Sequence, residues 1–211
     1  MQVLSVNVGR PRQVLYKGRA VMTGIFKEPV EGLVAVGRLN LEGDQQADLQ
    51  VHGGVDKAVY CYPHEHYEFW RRELDRDDLV MGQFGENLTT MGMLEEDVLI
   101  GDIYRIGTAR VQISQPRMPC FKLGIRMDYP GILKPFLQSL RVGFYVRVLE
   151  EGQIAAGDAI ERLERDESSL SVREVCRLFH FERDDHVALR RAADLAALPI
   201  EWRDGFLERL G

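Results

Sequence analysis

Turn-forming residues interrupt the first 163 positions so often that long helices have little room, and this spacing constrains the fold more than any other feature. Short strands are predicted at Val3–Val8, around Ala20–Phe26, at Leu33–Val36 and at Ala58–Tyr62. Pro63 then opens a helix over His64–Leu74, where Tyr67, Trp70 and Leu74 recur at helical spacing. Gly82–Thr90 reads as a turn entering a strand, Val98–Ile106 as a strand pair with a tight bend, and Phe144–Leu149 as a further strand. Ala109, Val111 and Ile113 alternate with Arg110, Gln112 and Ser114, the period of a half-buried strand. A barrel or sandwich follows from this pattern.

From Ser168 the pattern changes to helices. Ser171 and Glu174 have capping-box spacing ahead of an apolar face of Val175, Leu178 and Phe179. Asp184 or Asp185 can cap a second helix reaching Ala197, and Pro199 can start a third that ends near Leu210. The expected fold is mainly β with α: a strand-rich domain over 1–165 and a small three-helix bundle over 166–211.

Ser114-Gln115-Pro116-Arg117-Met118-Pro119-Cys120 places one cysteine on a stiff turn after a strand. Each proline fixes its own φ and restricts the residue before it. Arg117 and Lys122 bring positive charge, which favours a thiolate able to attack electrophiles or bind soft metals. A buried, inert thiol is the alternative that local sequence leaves open.

Composition narrows the setting. Cys61, Cys120 and Cys176 are odd in number and far apart, which fits a reducing compartment. No run approaches a transmembrane span, and Met1–Val6 lacks the basic start of a signal peptide, so a cytoplasmic protein without a membrane partner is expected. A net charge of −6 argues against general nucleic-acid binding. The helical tail, with nine Arg and no Lys against twelve Asp plus Glu over 161–211, has the wrong sign for DNA.

Asp48–Val59 contains the pair Gly53-Gly54 beside His52 and Lys57, which can hold an anion such as a phosphate on exposed amides or can simply form a turn. Asn87 can fix an amide-rich ligand or cap its own turn. Cys61, His64 and His66 form a C-x-x-H-x-H group, but the two histidines face apart at a helix start, which weighs against zinc. No G-x-G-x-x-G, P-loop or paired C-x-x-C motif appears, so no NAD or iron–sulfur site is recognisable. Any redox chemistry therefore needs electrons from outside.

With these residues in view the chain resembles the MOSC family, named for the C-terminal domain of molybdenum cofactor sulfurase, and its stand-alone bacterial YiiM-type members. The resemblance rests on Thr23-Gly24-Ile25-Phe26-Lys27, Gly43-Asp44 through Asp48 to Lys57, Phe84–Thr89, Gln115–Cys120 and Gly157-Asp158. It implies a barrel-like domain with a three-helix appendage, and a molybdenum–pterin cofactor whose metal is ligated by the cysteine matching Cys120. Lys27, His52, Lys57, Asn87 and Arg117 fall in the matching motifs and suit the cofactor's phosphate and pterin edges.

Similar proteins reduce N-hydroxylated compounds, including hydroxylaminopurines. The resemblance therefore implies a molybdenum-dependent oxidoreductase with Cys120 at its centre and a separate electron-donor reductase as partner. The rival reading is a carrier in which Cys120 holds a persulfide, or a cofactor-binding protein without turnover.

Overall fold

Strand β9 (Ala109–Pro116) shows how the alternation is used: Ala109, Val111 and Ile113 are buried while Arg110 and Gln112 are half-exposed. A computed structural model of the chain describes residues 1–47 and 53–210. In it β9 pairs with β8 (Ile103–Ile106) and with β10 (Phe144–Glu150), both antiparallel. The main sheet extends from there through β6 (Val59–Pro63), β7 (Leu88–Met91), β1 (Gln2–Val8) and β4 (Glu28–Val30), with β12 (Ile160–Glu164) beyond β8. Only the β6–β7 pair among these is parallel.

The sheet curls until Gln2 bridges Ala159. Val3 N donates to Asp158 O at 2.9 Å, and Ile160 N to Met1 O at 3.0 Å. These bonds bring the first strand to the last turn without a strand ladder, so the expected barrel-like wall is present but no barrel closes. Two small ribbons lie outside it: β5 (Val34–Val36) with β11 (Gly152–Ile154), and β2 (Arg12–Tyr16) with β3 (Arg19–Thr23).

Two local expectations in the strand-rich part are corrected. Val98–Gly101 is a turn rather than the first half of a strand pair, because Leu99 N donates to Asp102 Oδ2 at 3.0 Å and Gly101 takes φ 95°. Pro63 ends β6 instead of opening the helix, and α1 runs over Glu65–Leu74 after His64. Helix α1 buries Tyr67 and Trp70, whose indole N–H donates to Tyr62 Oη at 2.7 Å. Together with Phe84 and Phe136 they form an aromatic cluster apart from the core inside the sheet.

Two short helices follow Cys120, α2 (Phe121–Arg126) and α3 (Leu133–Gln138). The C-terminal trio is α4 (Val172–His180), α5 (His186–Ala193) and α6 (Ile200–Leu207). The capping box is complete: Glu174 N donates to Ser171 Oγ at 3.2 Å and Ser171 N donates to Glu174 Oε2 at 2.8 Å. Asp185 caps α5 by accepting from Ala188 N at 3.0 Å, and that helix stops at Ala193, short of the expected Ala197. Val172, Leu178, Leu189 and Phe206 join the same buried cluster as Val98, Val111 and Val146, so sheet and helices share one core. No described helix is long and apolar enough to cross a membrane.

Candidate functional site

The turn after β9 meets the loops 23–27 and 44–47, the loop 82–87 and the η-turn Val55–Lys57 around a cleft of ≈ 630 Å³, counting its open mouth. Lys27, Lys57, Arg117 and Lys122 line it, and no carboxylate does so among the described residues. A cationic cleft in a protein of net charge −6 is a local site for an anion.

The cleft's floor is organised by a buried carboxylate, Asp44. It pairs with Lys27 and accepts from Gly9 N at 2.8 Å and from Asn87 Nδ2 at 2.9 Å. Burial pulls the Lys27 pKa below the ordinary lysine value, with Asp44 opposing that shift. Asn87 Oδ1 in turn accepts from Tyr60 N at 3.1 Å, and its Nδ2 also donates to Asn7 O at 3.3 Å. Lys27 and Asn87 therefore line the cleft while their polar atoms tie β1 and β6 to the loop that carries Asp44.

A second buried carboxylate shapes the neighbouring wall. Glu86 accepts from Tyr67 Oη, from Gly82 N at 2.8 Å, from Thr89 Oγ1 at 2.9 Å and from Phe84 N at 3.0 Å. Burial pushes its pKa up and these donors oppose the rise. Gly85 permits the turn, since it has φ 82° and an added Cβ would sit 2.6 Å from Ile25 Cγ1. Glu86→Gln puts an amide donor among these N–H and O–H donors, so we expect about 1–3 kcal/mol of lost stability in urea unfolding. An unchanged midpoint would show that the loop does not depend on the charge.

Arg117 is a buried cation, 5% exposed, that meets no carboxylate in an ion pair among the described residues. Its Nη2 reaches Phe84 O at 3.4 Å, while Nη1 is buried with no hydrogen-bond partner among the described residues. The guanidinium lies 5.1 Å from the Tyr60 ring centroid. Burial works to lower its pKa, but Tyr60, Tyr145 and Cys120 together hold it above the ordinary arginine value. An orphaned, charged N–H group beside a cleft is a place for an anionic ligand oxygen.

Cys120 follows Pro119 as the residue capping α2, in extended geometry with φ −122°, and it lines the cleft half-exposed. The other thiols are sealed. Cys61 lies inside β6, where burial raises its pKa, and Cys176 sits under α4 with its pKa pushed up to about 12 by burial. Cys120 is the accessible soft donor of the three.

Of the residues singled out in the sequence, Lys27, Lys57, Asn87, Arg117 and Cys120 come together at this cleft, and His52 lies outside the described residues. Tyr60, Tyr145 and the anchors Asp44 and Glu86 were not singled out individually. Burial pushes the Tyr145 pKa up, with Arg117 opposing, so its hydroxyl stays protonated near neutral pH. His66 Nε2 meets Glu95 Oε2 at 2.6 Å instead of facing Cys61 and His64 as a metal trio. Among the described residues no group of three or more His, Cys, Asp or Glu stands ready for a metal ion.

Known proteins share this arrangement of segments. Residues 48–161 match the MOSC domain, and residues 170–210 match the YiiM-like, 3-alpha helix domain. Protein YflK of Bacillus subtilis (strain 168) is 44% identical over 98% of this chain and 93% of its own length. A protein named Reductase from Gibberella moniliformis (strain M3125 / FGSC 7600) is 37% identical over 94% of this chain, which spans 35% of that protein. The crystal structure of YiiM from Geobacillus stearothermophilus superposes with TM-score 0.85 at 40% identity, covering 100% of this chain and 99% of that one. The chain belongs to the MOSC domain family, with the YiiM-like three-helix domain at its C-terminal end.

Proposed function

We propose that this protein is a molybdenum-cofactor-dependent oxidoreductase that reduces N-hydroxylated compounds, such as hydroxylaminopurines, in the cleft around Cys120. The observation that carries the reading is the pairing of an accessible thiol with a buried guanidinium whose Nη1 has no partner, in a cleft lined by cations and lacking carboxylates among the described residues. A soft metal needs a thiolate, and a phosphate-bearing pterin needs fixed cations. The MOSC family membership and the relative named Reductase support the oxidoreductase part of this reading.

Cys120 would ligate the metal, Arg117 would take the cofactor's phosphate, and Lys57 and Lys122 would hold further anionic oxygens. Lys27 and Asn87 would keep the floor in place through Asp44. When bound, the molybdenum cofactor would supply the two-electron redox chemistry that reductive cleavage of an N–O bond requires. Overall, the N–O bond breaks, one N–H and one O–H bond form, and two electrons and two protons are consumed to give the amine and water. The protonated Tyr145 hydroxyl stands at the cleft wall, where it can donate a hydrogen bond to the departing oxygen.

The test is turnover of a hydroxylaminopurine by molybdenum-loaded protein with reduced methyl viologen as donor. Conversion to the aminopurine, followed by chromatography, is the expected result. No conversion by fully loaded protein would overturn the reading.

A further inference from the structure

The hairpin β2–β3 forms a two-stranded sheet of its own beside the cleft. Its two strands pair only with each other among the described strands, Arg12 through Tyr16 against Thr23 through Arg19. The turn uses Lys17 at φ 48° and Gly18 at φ 75°, the positive pair expected of a tight two-residue hairpin.

Cross-strand partners point the same way, so Gln13, Leu15, Ala20 and Met22 share one face. That face is exposed throughout, with Leu15 at 80% and Met22 at 50%. The other face holds the ribbon to the body: Arg12 lies 3.6 Å over the Phe26 ring, and Tyr16 meets Phe121 at a ring separation of 5.9 Å. Phe121 directly follows Cys120, and Thr23, which closes β3, lines the cleft. An exposed apolar ribbon is thus rooted beside the cleft, through Thr23 and through the neighbour of Cys120.

Its charge is of one sign, with Lys17 in the turn and Arg19 flanking it, while Arg12 and Arg19 lie by register on the face opposite Leu15 and Met22. Residues 9–23 carry Arg10, Arg12, Lys17 and Arg19 and no Asp or Glu, in a chain of net charge −6. None of the four enters an ion pair among the described residues, whereas Arg105, Arg110 and Arg177 elsewhere on the surface all meet glutamates. Exposed edges of this kind are a liability unless something covers them.

We propose that the exposed turn of the β2–β3 hairpin, with Lys17 and Arg19, and the adjoining outer face, with Leu15 and Met22, form the docking surface for an acidic electron-carrier protein of the flavodoxin type that feeds reducing equivalents to the cleft. The proposal rests on the reductase reading, which needs two external electrons for each N–O bond broken. No dinucleotide motif within these 211 residues supplies them. Charge complementarity selects an acidic partner and accelerates its encounter, while Leu15 and Met22 supply the apolar centre of the contact. Docking there brings the carrier to the rim of the cleft that holds Cys120.

The experiment uses molybdenum-loaded protein, a hydroxylaminopurine, and either an acidic flavodoxin hydroquinone or reduced methyl viologen as donor. In the double variant Lys17→Glu/Arg19→Glu the KM for flavodoxin at low salt should rise about tenfold or more, with kcat at saturation kept. Viologen-driven turnover should match wild type, which also shows that the variant is folded. The wild-type KM for flavodoxin should rise with ionic strength, and that of the variant should not. Equal flavodoxin KM values in wild type and variant, with viologen turnover intact, overturn the docking site and leave the reductase reading standing. Absence of turnover with both donors overturns the reductase reading and the docking proposal with it.

Discussion

Lys27→Met is expected to destabilise the fold by about 3–5 kcal/mol, the cost of leaving one partner of a buried ion pair behind. Asp44 is the partner left behind. It would retain the Gly9 and Asn87 N–H groups at 2.8 and 2.9 Å but would have no cation in a buried site. The urea midpoint should fall with an unchanged slope, because the native surface does not change. A shift below about 1 kcal/mol would mean that the two amides alone satisfy the carboxylate.

Arg117→Met makes the informative contrast. Its removal strands no carboxylate among the described residues. Stability of the cofactor-free protein should stay within about 1 kcal/mol of wild type, while retention of the cofactor through gel filtration should fall. A loss as large as that of Lys27→Met would instead make Arg117 a structural cation.

Cys120→Ala is expected to lower kcat/KM for N-hydroxyl reduction by more than about 10³-fold, equivalent to about 4 kcal/mol of transition-state stabilisation. The thiol is half-exposed and makes no side-chain cap to α2, so its loss should move stability by no more than about 0.5 kcal/mol. Activity and stability therefore separate at this position, which a merely structural cysteine would not allow. Cys176→Ala supplies the opposite pattern, since that sulfur fills a buried space under α4.

The features legible in the sequence were those with a local physical signature. Alternation marked β9, the Ser171–Glu174 spacing marked α4, and two prolines marked the held position of Cys120. The features that escaped have long-range causes. Asp44 and Glu86 look like surface acids in the sequence, and their burial follows from Lys27, Tyr67 and backbone amides that the fold brings in from elsewhere. Arg12–Tyr16 went unread as a strand because its exposed face, Gln13 and Leu15, is not polar in alternation. Helices α2 and α3, of six residues each, are too short for a periodic apolar face to register. The Val98–Gly101 run is apolar because it is buried in a turn, and an apolar run alone does not separate that from a strand.

The site shows the same division. The motifs located the cleft, but whether a side chain there serves the ligand or the fold depends on its partners. Asn87 is engaged with Asp44, Asn7 and Tyr60, whereas Arg117 Nη1 has no hydrogen-bond partner among the described residues. This difference supports Arg117 as an anion anchor and Asn87 as part of the frame.

The most direct measurement is molybdenum and pterin content of the protein purified from a host that makes the cofactor, for wild type and Cys120→Ala side by side. About one molybdenum and one pterin per wild-type chain, with the metal lost from the variant, is the predicted result. Metal retained in full by Cys120→Ala, or absent from both proteins under verified cofactor supply, would contradict the assignment of Cys120 as the metal's ligand.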